Sequence, residues 1–284
     1  MRADVPDVAD GGWQVPAAEL RQLGARRNRY CIAVFVLNEG ERLHRQLAKM
    51  VPYTEAVDVV VADGGSSDGA IEDERLRGHG VTAVLVKQGP GRLGAQMRMA
   101  FAYALRSGYQ GVLTIDGNDK DDPAAIPSFV DALDRGVDHV QGSRFVPGGR
   151  AVRTPWSRWL GIRWIHAPRL SRAAGFRYTD TTNGFRAYSR RFLLDPRVAP
   201  FRDVFSSYAL HYYLAVRAGE LGYRIAELPV TRSYPAKGPT PTKITPLRGN
   251  LEVLRTLAAV CRHEFDPPDD GGSTVGASGV RAGS

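Results

Sequence analysis

The sequence predicts an α/β fold with a mostly parallel central sheet flanked by helices. Two observations predict it. Short runs of consecutive apolar residues, typical of strands buried on both faces, recur along the first half of the chain. Segments with apolar residues at helical spacing separate these runs, which is the pattern of strand–helix–strand units. With 284 residues, the chain is long enough for one large domain of this kind or for two small ones.

The individual elements follow from these runs and spacings. Strands are predicted at residues 31–37, 57–62, 81–86, 111–116 and 137–145. Helices are predicted at 38–50, 92–108 and 122–136, the last with proline in its first turn, and a short helix at 17–27. Because the carboxyl ends of parallel strands meet at one edge of a sheet, ligands of such folds bind at that edge.

The second half of the chain is less regular. Residues 221–235 predict a helix end, a turn and a strand, and residues 250–263 return to helical spacing after a loop rich in proline, glycine and threonine. We expect three parts along the chain: a polar N-terminal extension at 1–29, one domain at 30–262 and a disordered tail at 263–284. The tail is expected to be disordered because it has too few apolar residues to pack.

Composition narrows the class of protein. Apolar residues make up 43% and charged residues 24% of the chain, as in ordinary soluble globular proteins. No stretch approaches the roughly 18 apolar residues that a membrane-spanning helix needs, and the N-terminus lacks the apolar core of a signal peptide. The spacing of Cys31 and Cys261 fits no metal or redox motif, so we interpret them as buried thiols and expect a cytoplasmic protein.

Positive charge is concentrated in one basic segment. The net charge is +8, and residues 144–177 carry eight arginines and no acidic residue. Trp156, Trp159, Trp164 and Phe176 lie among the arginines. Such a segment binds nucleic acid, lies on an anionic membrane surface, grips a phosphorylated substrate, or is a solvated basic face. No nucleic-acid motif accompanies it, so we expect no nucleic-acid partner.

Polar side chains follow three of the predicted strands. Asn38 and Glu39 come after the first strand, residues 63–68 after the second and residues 116–122 after the fourth. Three polar clusters at one edge of the sheet are hard to explain as solvated loops alone. Their shared position at the carboxyl edge predicts one ligand site.

Eight motifs in a fixed order resemble one enzyme family. They are FVLNEGE (35–41), DGGSSDGA (63–70), GRLGAQMRMAFAYA (91–104), TIDGNDKDDP (114–123), QGSRFVPGG (141–149), DTTNGFRAYSR (180–190), LGYRIAELPV (221–230) and TPTKI (240–244). Together they resemble glycosyltransferase family 2, inverting nucleotide-sugar enzymes of the GT-A fold, and most of all its branch of dolichol-phosphate mannose synthases and polyprenyl-phosphate glycosyltransferases. The resemblance implies a Rossmann-like GT-A domain with a nucleotide-sugar half at about 30–145 and an acceptor half at about 146–262.

The resemblance implies a nucleotide pocket in the first half of the domain. The residues that it assigns to this pocket are Leu37, Asn38, Glu39, Asp63, Gly64 and Arg92. Asp63 matches the aspartate of the family's DGGS motif and would hold the nucleobase. The glycines after it would let the backbone approach the ligand closely. The donor would be GDP-mannose or a UDP-hexose.

The metal motif of the family is altered in this chain. Asp116 matches the first aspartate of the family's DxD motif, which holds Mg²⁺ or Mn²⁺ on the donor diphosphate, but Asn118 stands at the second position. Asparagine offers one neutral carbonyl oxygen, a weaker ligand for a hard cation. Lys120 adds a positive charge nearby. It contacts the diphosphate and reduces the need for metal, or pairs with an aspartate of residues 119–122 while Asp116 still holds a metal, or points to solvent.

The resemblance also implies the residues that bind phosphates. Arg144 and Lys243 would bind the acceptor phosphate or the donor diphosphate, and Arg232 is a further candidate. A phosphate acceptor is already ionised and needs no catalytic base, and Tyr213 occupies the position of a family glutamate. His211, also on the acceptor side, would be a base only for a hydroxyl acceptor. The residues expected to carry the reaction are therefore Asp116, Asn118, Arg144 and Lys243.

The expected reaction is inverting transfer of a hexose to a phosphorylated acceptor, above all polyprenyl phosphate. Residues 144–177 would then contact the inner membrane face peripherally, with their tryptophans against lipid chains. Two alternatives stay open. One is a soluble acceptor, such as a nucleoside or a natural-product intermediate. The other is a catalytically impaired nucleotide-sugar binding protein, which the altered metal motif suggests. The resemblance also allows a homodimer.

Overall fold

The computed structural model describes residues 12–235 and 248–268. Its strands are β1 (Ala18–Gln22), β2 (Tyr30–Val36), β3 (Asp58–Asp63), β4 (Val81–Lys87), β5 (Gly111–Asp116), β6 (His139–Ser143), β7 (Arg150–Val152), β8 (Arg186–Ser189), β9 (Ile225–Pro229) and β10 (Thr231–Ser233). Its α-helices are α1 (Glu41–Met50), α2 (Asp73–Gly78), α3 (Leu93–Arg106), α4 (Ile126–Asp134), α5 (Trp156–Gly161), α6 (Ala167–Ala174), α7 (Arg190–Leu194), α8 (Ala209–Glu220) and α9 (Arg248–Cys261). Short 3₁₀ turns lie at Val51–Tyr53 and Pro123–Ala125.

Eight strands form the central sheet in the order β1-β4-β3-β2-β5-β8-β6-β9. Neighbouring strands are parallel from β4 to β5 and again between β6 and β9. They are antiparallel between β1 and β4 and on both sides of β8. Strands β7 and β10 form a separate parallel pair. The predicted α/β fold with a mostly parallel sheet is confirmed, and the five strands predicted from apolar runs are β2 to β6.

The central strand β2 is buried on both faces, as its apolar run predicted. Side chains alternate between the two faces of a strand. Ala33 and Phe35 belong to the hydrophobic core on the side of α3 and α8, whereas Val34 and Val36 belong to the core on the side of α1 and α4. The sheet therefore separates two apolar layers and leaves its carboxyl edge open for a site.

The predicted short helix at 17–27 is wrong. Residues Ala18–Gln22 are the edge strand β1, which pairs antiparallel with β4. Leu23 is the one buried side chain of residues 17–27, so the segment packs no apolar stripe of the kind that holds a helix against a core. A strand instead satisfies the backbone groups at the open edge of β4.

The second half of the chain also differs from the prediction. Residues 221–235 contain two strands, β9 and β10, where one was predicted. Strand β8 was missed, and it lies antiparallel between β5 and β6. It is only four residues long, RAYS, and carries no apolar run that would mark it. Its place in the sheet depends on pairing with two strands that are distant in sequence.

The basic segment at 144–177 folds mainly into helix. A π-helical turn at Ile162–His166 joins α5 to α6. Trp156 and Trp164 on this helix are 75% and 72% exposed. Among the described residues, no helix combines the length and the apolar character that crossing a bilayer requires.

Several predictions concern residues outside the described part of the chain. These are the first eleven residues of the predicted extension, Lys243 with most of its loop, and the tail beyond residue 268. Of the two cysteines, Cys31 is buried as predicted. Cys261 is only half-buried, so the interpretation as a buried thiol is wrong for it, because it lies at the end of α9 where packing is incomplete.

Candidate active site

A cleft of about 1400 Å³ opens at the carboxyl edge of the sheet. Residues at or just beyond the ends of β2, β3, β4 and β5 line it, namely Leu37, Gly64, Lys87 and Asp116. Helices α5, α8 and α9 contribute further lining residues, as does the π-helical turn. The cleft therefore lies where the strand–helix pattern predicted a ligand site.

Most residues predicted for the nucleotide pocket line this cleft. They are Leu37, Glu39, Gly64 and Arg92. Glu39 Oε2 accepts a hydrogen bond from Nε of Arg42 over 2.8 Å, and Arg42 lines the cleft as well. Arg92 stands at the start of α3 with an exposed guanidinium 3.6 Å from Glu252. This end of the cleft thus offers charged groups of both signs to a ligand.

Asp63 and Asn38 lie beside the cleft and shape its loops. Asp63 Oδ2 accepts hydrogen bonds from the backbone N–H groups of Gly65 and Ser66, each over 2.8 Å. Asn38 Oδ1 accepts one from the N–H of Ser67 over 2.8 Å, and the N–H of Asn38 donates to Ser66 Oγ over 2.9 Å. These bonds fix the loop after β3 against the loop after β2. A contact of Asp63 with a nucleobase stays a prediction.

Asp116, at the end of β5, is bound to an arginine. Its Oδ2 accepts a hydrogen bond from Arg232 Nη2 over 2.9 Å and a weaker one from Asn118 Nδ2 over 3.3 Å. The other terminal nitrogen of Arg232 donates to the fully buried Asp121. Burial raises the pKa of Asp116, but the charges of Arg232 and Lys120 outweigh it and hold that pKa below its ordinary value. Asp116 is therefore an anion at neutral pH.

Backbone pairing explains how this arginine reaches β5. Asp121 and Arg232 form an antiparallel bridge between the loop after β5 and strand β10. The N–H of Ser233 donates to the carbonyl of Lys120 over 2.7 Å in the same contact. Because β10 also pairs with β7, the small sheet holds Arg232 next to the end of the large one.

Lys120 lies in the wall of the cleft. It is 6% exposed, so the interpretation that it points to solvent is wrong. Its ammonium lies 5.5 Å from the ring centre of Tyr234. Asp119 is bound instead to Arg45 Nε over 2.9 Å and to Lys49 Nζ over 2.7 Å. Burial and the charge of Arg232 lower the pKa of Lys120, and the opposing effect of Asp116 is smaller.

Two oxygens beside Arg232 fit one hard divalent cation. The side chain of Asp116 is 27% exposed and lines the cleft. Asn118 Oδ1 is buried and has no hydrogen-bond partner among the described residues. Mg²⁺ typically binds through one or two protein oxygens and takes its other ligands from phosphates and water. The residues present therefore fit a metal that shares a diphosphate, although Arg232 already occupies one oxygen of Asp116.

Arg144, just beyond β6, is held by a buried carboxylate. Its Nε and Nη2 donate to Asp180 over 2.6 and 2.9 Å, and Nη2 also donates to Thr182 Oγ1 over 2.8 Å. Its Nη1 is buried with no hydrogen-bond partner among the described residues. Burial raises the pKa of Asp180, but the attached guanidinium outweighs it and lowers that pKa. One face of Arg144 is thus fixed, and one donor remains for a ligand in the cleft.

Comparison with known proteins identifies the family. The model of "Glycosyl transferase family 2" matches residues 31–195. The chain belongs to this family. It is a nucleotide-sugar-dependent glycosyltransferase, as the resemblance implied.

Curated relatives of this family 2 enzyme act on lipid phosphates, according to their names. The polyprenol monophosphomannose synthase of Mycolicibacterium smegmatis is 30% identical over 72% of this chain and 77% of its own length. The undecaprenyl-phosphate mannosyltransferase of Micrococcus luteus is 32% identical over 68% of this chain and 79% of its own. The dolichyl-phosphate hexose transferase of Haloferax volcanii is 27% identical over 80% and 91%.

Solved structures agree on the fold. Glucosyl-3-phosphoglycerate synthase from Mycobacterium tuberculosis, in complex with Mn²⁺, uridine diphosphate and phosphoglyceric acid, superposes with a TM-score of 0.59. It is 18% identical and covers 85% of this chain and 80% of its own. The family 2 enzyme therefore has the predicted GT-A fold.

Helix α8 of this family 2 enzyme places a neutral histidine in the wall of the cleft. His211 on α8 lines the cleft, and burial together with the charge of Arg186 holds its pKa well below the ordinary value. A histidine with such a pKa is a weak base at neutral pH. Tyr213, also on α8, is buried, and its hydroxyl donates to the carbonyl of Val198 over 2.7 Å. His211 cannot bring a positive charge to a diphosphate in this state.

Sequence reasoning missed the residues that hold Arg144. Asp180 binds its guanidinium, and Glu227 on β9 fixes the loop around Asp180 by accepting hydrogen bonds from the backbone N–H groups of Thr179 and Asp180 over 2.9 and 3.1 Å. Both acids lie in quoted motifs, DTTNGFRAYSR and LGYRIAELPV, so their presence was visible. Their acidic character was the signal, but the partner of each is distant in sequence.

Proposed function

We propose that this enzyme transfers a hexose from a nucleotide sugar to the phosphate of a polyprenyl phosphate, with inversion at the anomeric carbon. The observation that carries the proposal is Arg144, whose guanidinium is fixed by Asp180 and keeps one buried donor unpartnered among the described residues of the cleft. The names of the curated relatives support the same acceptor class.

Further cations stand near Arg144 at the same corner of the cleft. Arg158 Nη1 donates to the hydroxyl of Tyr234 over 2.9 Å, and the ammonium of Lys120 lies 5.5 Å from the Tyr234 ring. Burial raises the pKa of Tyr234, but the charges of Arg232 and Arg158 outweigh it and lower that pKa. A corner that favours negative charge on a tyrosine also favours a phosphate dianion, to which the remaining donor nitrogen of Arg144 can give a charge-assisted hydrogen bond.

The reaction needs no protein base. An ionised phosphate oxygen of the acceptor attacks the anomeric carbon, and the bond from that carbon to the donor diphosphate breaks, so the nucleoside diphosphate leaves with the electron pair. A single displacement of this kind inverts the anomeric centre. Arg144 orients the attacking phosphate, and Lys120 and Arg232 stabilise negative charge on the departing diphosphate. Mg²⁺ or Mn²⁺ held by Asp116 and Asn118 would supply further charge stabilisation there.

The basic segment offers a place for the lipid part of the acceptor. The helix from α5 to α6 lines the cleft through Arg158, Ile162 and His166 and carries the exposed Trp156 and Trp164. Tryptophans and arginines on one helix favour the interface of an anionic membrane. We propose a peripheral contact of this helix with the membrane, which would bring the cleft to the phosphate headgroup.

A soluble phosphorylated acceptor is the second candidate. The structural neighbour bound to phosphoglyceric acid has the same fold, and the phosphate chemistry of the Arg144 corner would serve either acceptor. The donor is GDP-mannose or a UDP-hexose. The curated relatives transfer mannose or hexose by name, whereas the structural neighbour holds uridine diphosphate.

Calorimetric titration tests donor and metal together. The purified protein is titrated with GDP-mannose and with UDP-glucose, each with Mn²⁺ and then with EDTA. We expect binding of one donor that weakens in EDTA. Equal binding in EDTA would mean that Lys120 and Arg232 carry the diphosphate without metal. Binding of neither donor would contradict the proposed function.

A turnover assay separates the two acceptors. The donor that binds is incubated with detergent-solubilised polyprenyl phosphate, or in detergent-free buffer with phosphoglycerate and other water-soluble acceptors. We expect glycolipid product from the first mixture. Product from the second mixture alone would favour the soluble acceptor.

A further inference from the structure

Arg186, the first residue of β8, organises one wall of the cleft. Its side chain is buried, and its nitrogens donate to three backbone carbonyls. Nε donates to Asn183 over 2.9 Å, Nη2 to Thr181 over 2.7 Å and Nη1 to His211 over 2.5 Å. A planar guanidinium that binds three carbonyls fixes the residues that carry them relative to one another. The loop before β8 and helix α8 are thereby locked together.

The same three residues carry unsatisfied side chains. Thr181 Oγ1, Asn183 Nδ2 and His211 Nδ1 are buried and have no hydrogen-bond partner among the described residues. All three residues line the cleft. A buried polar atom without a partner is costly, and most such atoms in native proteins have a ligand or water as partner. Three of them on one fixed array therefore indicate a bound group that this wall recognises.

The array lies next to the diphosphate end of the cleft. Gly184 follows Asn183 directly, and a Cβ atom at Gly184 would stand 3.0 Å from Oδ1 of Asp116. The hydroxyl of Thr114 on β5 holds the carbonyl of Gly184 over 2.8 Å. The charge of Asp116 also raises the pKa of His211, against the larger lowering by burial. The unpartnered atoms thus neighbour the carboxylate that we place at the donor diphosphate.

The chemistry of the array separates it from the phosphate-binding corner. A hydroxyl donates and accepts hydrogen bonds, an amide NH₂ donates them, and a nitrogen of a neutral imidazole donates or accepts one, all without a net charge. Phosphates are bound by cations, and those lie at Arg144, Lys120 and Arg232. Neutral groups of mixed donor and acceptor character suit the hydroxyls of a sugar.

We propose that Thr181, Asn183 and His211 form the subsite that reads the hydroxyls of the transferred hexose, and that Arg186 is the positioning residue that fixes it. This inference rests on the proposed function, because it needs a nucleotide-sugar donor in the cleft. It goes beyond that function by naming the part of the donor that these residues contact, which is the hexose. Arg186 acts through the three residues and touches no substrate.

Two conservative substitutions test the subsite. Thr181→Val removes the hydroxyl at nearly constant shape. Asn183→Ser removes the amide NH₂ and keeps an oxygen for the N–H of Phe185, which Asn183 Oδ1 now accepts over 2.8 Å. For each variant, calorimetry measures Kd for the intact nucleotide sugar and for the matching nucleoside diphosphate alone. Thr82→Val, a buried threonine of β4 outside the cleft, is the matched control.

The ratio of the two dissociation constants reports the hexose. We expect each variant to weaken binding of the intact donor by about three- to tenfold, the usual effect of one lost neutral hydrogen bond, with nucleoside diphosphate binding unchanged. The control should keep the wild-type ratio. Arg186→Lys should likewise raise the Kd of the intact donor relative to the Kd of the nucleoside diphosphate, a change that general loss of stability does not produce.

Three outcomes would overturn the inference. In the first, both variants bind the intact donor as the wild type does. In the second, they lose the two ligands equally, which would indicate a structural effect. In the third, the wild type binds nucleoside diphosphate no more weakly than the intact donor, so that the hexose contributes nothing. If the wild type binds no nucleotide sugar at all, the proposed function fails together with the subsite.

Discussion

Arg232 Nη2 donates to Asp116 Oδ2 over 2.9 Å, although the two residues are 116 positions apart in the chain. The same guanidinium binds Asp121, so one cation serves a carboxylate in the cleft and another in the interior. In the proposed donor complex, the diphosphate would therefore meet a carboxylate whose charge is already partly balanced. Arg232 thus places a positive charge next to the altered DxD motif, in which Asn118 is uncharged.

Removal of Arg232 should destabilise the fold. Arg232→Met leaves the fully buried Asp121 without its partner, and loss of one member of a buried ion pair typically costs about 3–5 kcal/mol. Adding Asp121→Asn should recover part of this loss. Denaturant unfolding of both variants measures the free energies.

An exposed ion pair supplies the control for that prediction. Arg29 and Asp134 lie 2.8 Å apart on the surface, so Arg29→Met should cost less than about 1 kcal/mol. An equal loss in Arg29→Met and Arg232→Met would contradict the special position of Arg232. The prediction would also be contradicted if Arg232→Met with Asp121→Asn lost as much free energy of unfolding as Arg232→Met alone.

Asp116→Ala should remove most turnover and leave the fold intact. Arg232 keeps Asp121 as a partner in this variant, so no buried charge is stranded. Loss of a group at the departing diphosphate typically slows turnover about 100- to 1000-fold. Product formation and the thermal unfolding midpoint are measured together. Asp119→Asn, in the same loop but bound to surface cations, should stay active. Near-wild-type turnover in Asp116→Ala would defeat the assignment.

Arg144→Lys should impair the acceptor more than the donor. A lysine cannot bind both oxygens of Asp180 and still present a fixed donor to the cleft. We expect KM for the lipid phosphate to rise about tenfold or more, with Kd for the nucleotide unchanged. Arg150→Lys, an exposed arginine of the same basic segment, is the control. A change confined to nucleotide binding would move Arg144 to the donor diphosphate.

The sheet and the place of the cleft could be predicted from the sequence because both depend on local patterns. Strand β2 is a run of apolar residues, and Asp116 follows β5 directly. Strand β1 could not be predicted, since its residues favour a helix in isolation and become a strand through the open edge of β4.

The contacts that give the site its charge depend on pairing between distant segments. Arg232 was a candidate phosphate ligand from the resemblance, but its bond to Asp116 requires the bridge between β10 and the loop after β5. The Arg144–Asp180 pair likewise joins residues from two separate motifs. A single sequence can therefore indicate such residues as candidates, but it does not show which residues they bind.

His139 should make the protein sensitive to acid. Burial, with a smaller effect of Arg186, lowers its pKa to about 3, and both ring nitrogens lack hydrogen-bond partners among the described residues. The unfolded chain, with a histidine pKa of about 6.5, therefore binds a proton that the folded chain does not. Stability that is present above pH 6.5 is lost as the pH falls toward 3.

His139→Phe should remove this sensitivity and keep the stack on Tyr188. Relative to the wild type, the variant should gain about 2 kcal/mol more at pH 5 than at pH 8. Urea unfolding of both proteins at the two pH values measures this difference. Any effect of the substitution on packing is the same at both pH values and therefore cancels. Equal pH dependence in the two proteins would rule out His139 as the source.

The exposed tryptophans should bind anionic membranes. Trp156 and Trp164 lie on the helix that lines the cleft, and burial of a large apolar side chain contributes roughly 1.5–3 kcal/mol, or about tenfold or more in affinity. Trp156→Ala with Trp164→Ala should therefore weaken binding to phosphatidylglycerol vesicles in a flotation assay, yet leave nucleotide binding unchanged. Leu20→Ala with Val51→Ala removes exposed apolar side chains elsewhere and should bind as the wild type does. Equal vesicle binding by all three proteins would exclude this helix as the membrane contact and favour the soluble acceptor.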